Sequence, residues 1–298
     1  MEKTLRKTMK KQLAVIAAAV LMLSSCGGSP RYHYEVRKDL SVYFKNADTV
    51  IEKVRSALVR RDSRIVIEYT SSGDNMQDID DIVREIMDYA VSETDCPYEG
   101  DYIAYQNGGY RLEYSCTENS GSYSYELVIT PDLYTDSDQE QKVTEKIGEV
   151  TASLDIDSST SDREKARRVY DYICENVKYD TIHKGESAHH MRSTAYGALI
   201  YGHATCQGYA VAVYRLLRES GVPCRVITGT AYNDITGEYE HHAWNIAEID
   251  GTWYNIDATW GSILDSDDYF LISDSALTAH TRDEKFSSSD FYKSYPMG

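Results

Sequence analysis

Three residues could carry thiol chemistry together: Cys206, His242 and Asp257. They lie in GHATCQGYAVAVYRLLRESGVPCRVITG (202–229), a connecting loop, and HHAWNIAEIDGTWYNIDATWG (241–261). A thiol, an imidazole and a carboxylate are the parts needed to form a thiolate, move a proton and hold the proton carrier in place.

The elements that would position them can be read from pattern. After Cys206, Ala210, Val213, Tyr214 and Leu217 recur at helical spacing, and Val211 and Leu216 widen the stripe. Gly221 and Pro223 stop that helix. Cys206 therefore falls in the first turn, where the macrodipole and unpaired N–H groups favour a thiolate and can hold an oxyanion. Taken locally, the cysteine reads equally as a buried, inert thiol. The histidine and aspartate come from a hairpin. His242–Ile249 and Thr252–Ile256 carry strand signals around Asp250-Gly251, which favours a two-residue type I′ turn. In that register 249 faces 252, 244 faces 257 and 242 faces 259. His242 and Asp257 are then diagonal neighbours on one face, roughly 7 Å apart and within side-chain reach. A three-residue turn would flip the second strand and separate them.

Cys206-Gln-Gly-Tyr-Ala210, the His242-Ala-Trp-Asn245 run and Trp253…Asp257-Ala-Thr259 together resemble the transglutaminase-like superfamily in its bacterial branch. The resemblance covers Ser161 to Gly261 and includes Tyr179-Asp180. It implies an α+β fold: a papain-like, transglutaminase-like core with a Cys-His-Asp triad, in which Cys206 is the nucleophile, His242 the base and Asp257 the orienting carboxylate. His241 is set aside, because the family histidine directly precedes the Ala-Trp pair. Ala204 departs from the glycine that many relatives carry two residues before the cysteine. Gln207 departs from the tryptophan of the eukaryotic cross-linking enzymes, which weakens a cross-linking reading.

The first 25 residues read as a leader. Lys3, Arg6, Lys7, Lys10 and Lys11 precede an apolar run of 11, Leu13 to Leu23, far short of the ~20 residues a spanning helix needs. Leu23-Ser24-Ser25-Cys26 resembles a bacterial lipobox, so Cys26 is the expected lipidation site and the mature N-terminus. The chain is then extracytoplasmic and lipid-anchored to the cell membrane or outer membrane. Loss of five basic residues and Glu2 with the leader takes the net charge from -17 to -21. Such acidity argues against nucleic-acid binding.

The rest divides into a tether (26–40), a smaller α+β module with an antiparallel meander (41–155), and the transglutaminase-like domain (156–298). In the module, helices are expected from Tyr43 to Leu58 and Ile79 to Ala90, with a strand from Arg64 to Tyr69. Strands are expected at Tyr102–Gln106, Tyr110–Cys116 and Ser122–Thr130, with Asn107-Gly108-Gly109 turning the first hairpin. Folding that hairpin brings Cys116 near Cys96. Export permits a disulfide between them; the alternative is two free buried thiols. Cys174 and Cys224 read as packed small hydrophobes. In the domain, Ser161 and Glu164 mark a capping box, Tyr232–Tyr239 a loop beside the histidine, and Tyr269–Ile272 a last strand before a partly ordered polar tail.

No metal or cofactor is expected. His189-His190 and His241-His242 are adjacent pairs that cannot share a face, and no His-Glu-x-x-His or Cys-x-x-Cys occurs. The expected function is acyl transfer on peptide or protein amides through a Cys206 thioester, as a peptidase, amidase or transglutaminase. The competing reading is a non-catalytic surface binding protein for glycan, cell-wall or protein ligands, with tyrosine-rich strands as its platform.

Overall fold

The structure, a computed structural model, describes residues 14–15, 39–181, 186–233 and 236–298. The leader apart from Ala14–Val15, the lipidation candidate Cys26 and nearly all of the tether lie outside them.

A two-residue strand β1 (Ala14–Val15) edges the first sheet. Helix α1 (Ala47–Val59) starts where the Asn46 side chain accepts from Thr49 N. Strand β2 (Ile65–Ser71) buries Ile65, Ile67 and Tyr69 on one face, and α2 (Ile79–Ala90) lays Ile79, Ile82, Val83, Ile86 and Ala90 over that core. The helical turn α3 (Asp101–Ala104) follows, then the long hairpin β3 (Asn107–Asn119) and β4 (Ser122–Leu133). The antiparallel sheet runs β1-β3-β4-β2.

Here the sequence reading needs correction. Tyr102–Gln106 is not a strand. The Asn107 side chain, expected in a hairpin turn, donates to the carbonyls of Ile103 (2.8 Å) and Ala104 (3.3 Å) and so closes α3. The β3–β4 hairpin turns at Ser120-Gly121, both at positive φ, in the turn-rich Glu118–Gly121 segment that precedes the strand expected from Ser122. The Cys96–Cys116 disulfide is not formed, and both are free thiols. Without a strand at 102–106, the chain offers Cys96 no seat opposite Cys116, which pairs with Tyr125.

Helix α4 (Ser137–Ser153) opens on a reciprocal capping box between Asp136 and Gln139. Its Val143, Ile147 and Val150 pack into the second core. Then come α5 (Asp162–Asn176), β5 (Lys178–Tyr179), α6 (Glu186–Arg192), α7 (Ala195–Leu199), β6 (His203–Ala204) and α8 (Cys206–Glu219). The short β5 and β6 pair in parallel. Strands β7 (Cys224–Asn233), β8 (Glu238–Ile249) and β9 (Thr252–Ile256), helix α9 (Ala258–Leu264), β10 (His280–Arg282) and α10 (Ser289–Ser294) complete the chain. The second sheet is antiparallel in the order β10-β7-β8-β9, with α8 packed on it. The loop read at Tyr232–Tyr239 is the connection of the β7–β8 hairpin, of which residues 234–235 lie outside the described ones. Tyr269–Ile272 is not a strand; only Ile272 bridges to Asn255. The polar tail is built into the fold as β10 and α10, and it buries Phe286 and Phe291.

The two cores meet through side chains of the first module. Gln106 Oε1 accepts from Ala195 N at the start of α7 (2.9 Å). The Gln207 amide, one residue past Cys206, donates to the Tyr105 carbonyl. Asp101 accepts from Arg225 Nε and Val226 N on β7, both at 2.8 Å.

Candidate active site

Cys206 is the first residue of α8 and is partly exposed. The residue before it, Thr205, makes no capping hydrogen bond. Its hydroxyl is turned to Ser193 (3.0 Å) and the Arg192 carbonyl (3.4 Å). The first-turn N–H groups, which have no partner within the helix, therefore keep their capacity for an incoming oxyanion. Gly208 lets this turn sit deep: a Cβ there would lie 2.3 Å from the Arg192 carbonyl oxygen.

The hairpin turn has the expected form. Asp250 (φ 52°) and Gly251 (φ 79°) are both left-handed, and Ile249 pairs with Thr252. This register carries His242 and Asp257 to the same face, with His242 Nε2 2.7 Å from Asp257 Oδ2. The other ring nitrogen of His242 is left for Cys206, which adds to the pull that keeps the ring protonated. Asn245 fixes the helix against the strand, its amide donating to the carbonyls of Ala210 (3.0 Å) and Arg225 (3.2 Å). Trp244 is pinned by its indole N–H to Asn255 Oδ1 at 3.0 Å. The conspicuous Ala-Trp-Asn run is thus the brace that seats the nucleophile's helix on the base's strand.

Asp257 is fully buried and begins α9. Its Oδ1 accepts from the N–H groups of Thr259 (3.0 Å) and Trp260 (3.1 Å). Its Oδ2 accepts from two imidazoles, His242 and His280, the latter at 2.8 Å. A carboxylate only accepts, so both rings carry their proton on Nε2. Burial works against the carboxylate, yet the two histidines hold its carboxyl well below the usual range. Burial likewise opposes a charged His242, but the Asp257 carboxylate and the bonds to Asp257 and Cys206 outweigh it and push the pKa up to about 10. This is the electrostatic frame of a thiolate–imidazolium pair.

His280 was not found by sequence reasoning. Its only signal was that it is the one histidine C-terminal to His242. With His242 and Asp257 it forms a group whose ligand-type atoms lie within 4.8 Å of one another. Both Nε2 atoms face the carboxylate as donors, so neither ring presents a lone pair there to a cation. Tyr179, held beside Ala204 by the β5–β6 pair, is 38% exposed, and Trp260 stands 5.9 Å from the His242 ring. Cys174 and Cys224 are free thiols with no part in this chemistry, although Cys174 lies behind Asp257, its thiol 3.6 Å from the Ala258 carbonyl. Burial pushes the Cys174 thiol up to about 12 and Cys224 well above its ordinary value.

Residues 150–258 match the model of the transglutaminase-like superfamily, a span that contains Cys206, His242 and Asp257. The human protein kyphoscoliosis peptidase (Homo sapiens) is 26% identical over 174 residues, covering 53% of this chain and 26% of its own length. Its mouse counterpart (Mus musculus) is 31% identical over 135 residues, covering 41% and 20%. The chain thus spans about a quarter or less of these relatives. A crystal structure of a TGase overlays with a TM-score of 0.36 at 18% identity, covering 49% of this chain and 44% of that one. The C-terminal half carries a transglutaminase-like core, and the fold is α+β and papain-like.

Proposed function

We propose that this transglutaminase-like domain is a cysteine enzyme that transfers acyl groups from peptide or protein amides. The observation that carries the reading is the buried His242–Asp257 pair, held at 2.7 Å, together with a thiol at an uncapped helix start. The Cys206 thiolate attacks the amide carbonyl and a C–S bond forms. First-turn N–H groups hold the oxyanion. His242 gives its proton to the amine as the C–N bond breaks, which leaves a thioester on Cys206. Water or an amine then attacks that thioester, His242 takes the nucleophile's proton, and the C–S bond breaks to restore the thiolate. We favour water, because Gln207 replaces a tryptophan beside the nucleophile and the matched relatives are named peptidases.

The test is pH-dependent alkylation of each cysteine, read by peptide mass spectrometry, beside a casein-type substrate screen with an amine probe. Labelling of Cys206 at acidic pH faster than a free thiol, lost in His242→Ala, is the expected result. Amine incorporation without hydrolysis would move the assignment to transglutamination. Labelling no faster than a free thiol would favour the binding-protein reading. The leader and Cys26 support an exported, membrane-anchored location, for which release of a Cys26→Ser chain from the membrane fraction is the expected result.

A further inference from the structure

His280 lies outside the span that matches the superfamily model, and β10 delivers it across the sheet. Its side chain is 2% exposed. Its Nε2 meets Asp257 Oδ2 at 2.8 Å, the same oxygen that His242 reaches at 2.7 Å. Its Nδ1 is buried and has no hydrogen-bond partner among the described residues. The ring stands edge-on to His242 at 5.2 Å and to Trp244 at 5.0 Å. With Nε2 donating to the carboxylate, the ring's other nitrogen makes no hydrogen bond among the described residues.

We propose that His280 is a positioning residue for this site, a second N–H donor that keeps the buried Asp257 carboxylate turned to His242. It rests on the reading of Cys206 and His242 as the acyl-transfer pair. A buried carboxylate is stable only when its lone pairs are filled. The two donors on Oδ1 belong to the α9 backbone and never move. Of the two on Oδ2, His242 changes charge in every cycle, as its proton goes to the leaving amine. His280 takes no part in that transfer, so Oδ2 keeps a second donor aimed at it throughout. The other titratable groups facing this cluster are Tyr170 and Cys174 from α5, toward Asp257, and Tyr269, whose ring lies 6.4 Å from that of His280.

Two variants separate donor from filler. His280→Phe keeps an aromatic ring and removes the N–H; His280→Gln keeps an N–H donor and removes the ring. The probe is iodoacetamide on the full chain, read at Cys206 across pH, with Cys96 as internal control and near-UV circular dichroism as the check on folding. In His280→Phe the acid-side midpoint of Cys206 labelling is expected to rise by about one pH unit, roughly a tenfold slowing on that limb. His280→Gln is expected to restore most of the wild-type rate. If His280→Phe does not fold, His280→Leu removes the same donor. A His280→Phe profile equal to wild type, or a His280→Gln as slow as His280→Phe, overturns the role of His280 alone. A wild-type Cys206 that labels like N-acetylcysteine, indifferent to His242→Ala, removes the pair itself and this proposal with it.

Discussion

Asp257 does three jobs with one carboxylate: it caps α9, orients His242 and accepts from His280. Asp257→Asn separates them. The amide oxygen can still cap the helix, but its NH₂ would face two ring N–H donors. His242 must then move its proton to the nitrogen that serves Cys206, and the base is lost. Acyl transfer is expected to fall by about 10³–10⁴-fold, and the melting temperature to fall as well, because two buried N–H donors lose their acceptor; single-turnover kinetics and a thermal melt check both. The two charges also shape stability. The Asp257 share is present above the ordinary carboxylate range and is lost as pH falls through its depressed value. The His242 share is present below its ordinary value of 6.5 and is lost as pH rises toward about 10. At this scale Cys206, His242 and Asp257 were legible because a helix start and a two-residue turn are local signals. His280 was not, because only the pairing of β10 with β7 brings it near, and nothing around it in the chain encodes that contact.

Elements seat the site by close approach. Gly229 faces His242 on one side and Arg282 on the other. A Cβ at Gly229 would lie 2.0 Å from the Thr281 carbonyl oxygen. Gly229→Ala is therefore expected to push β10 off β7, at a cost of about 1–3 kcal/mol, and to slow Cys206 labelling as loss of the His280 donor does. Denaturant unfolding beside the alkylation profile tests this; an unchanged profile with full stability would show that β10 has room to give. The same dependence on partners explains the misread elements. Ile79–Ala90 was legible to the residue, since its apolar stripe repeats over three turns. Tyr102–Gln106 and Tyr269–Ile272 are short apolar runs, which periodicity cannot assign. Their form was set by the Asn107 cap and by the single bridge to Asn255.

Across the whole molecule, the two cores are joined by buried charge. Glu93, Asp101, Arg225 and Lys285 line a cavity of about 170 Å³ between them. Burial, then the neighbouring Asp101, push Glu93 up to about 7, and burial brings Lys285 down to about 8. The folded chain thus keeps a proton on Glu93 that the unfolded chain releases near its ordinary 4.5. Its contribution to stability declines as pH rises from about 4.5 to about 7. Glu93→Gln is expected to match wild type at acidic pH and to be more stable by on the order of 2 kcal/mol at pH 8, read by thermal melts at the two pH values. Equal pH dependence in both chains would show that Glu93 does not carry the effect.

The thiol at the start of α8 and the carboxylate at the start of α9 enclose the imidazole between them. The imidazole lies 2.7 Å from the carboxylate, well inside the roughly 8–10 Å over which ions screen at physiological strength. Ionic strength should therefore leave the intrinsic reactivity of Cys206 nearly unchanged. The net charge of -17 lies outside that enclosure and acts on whatever approaches. Salt thus offers a handle on encounter that leaves the chemistry alone: a cationic partner would lose its advantage as salt rises, and a neutral one would not notice.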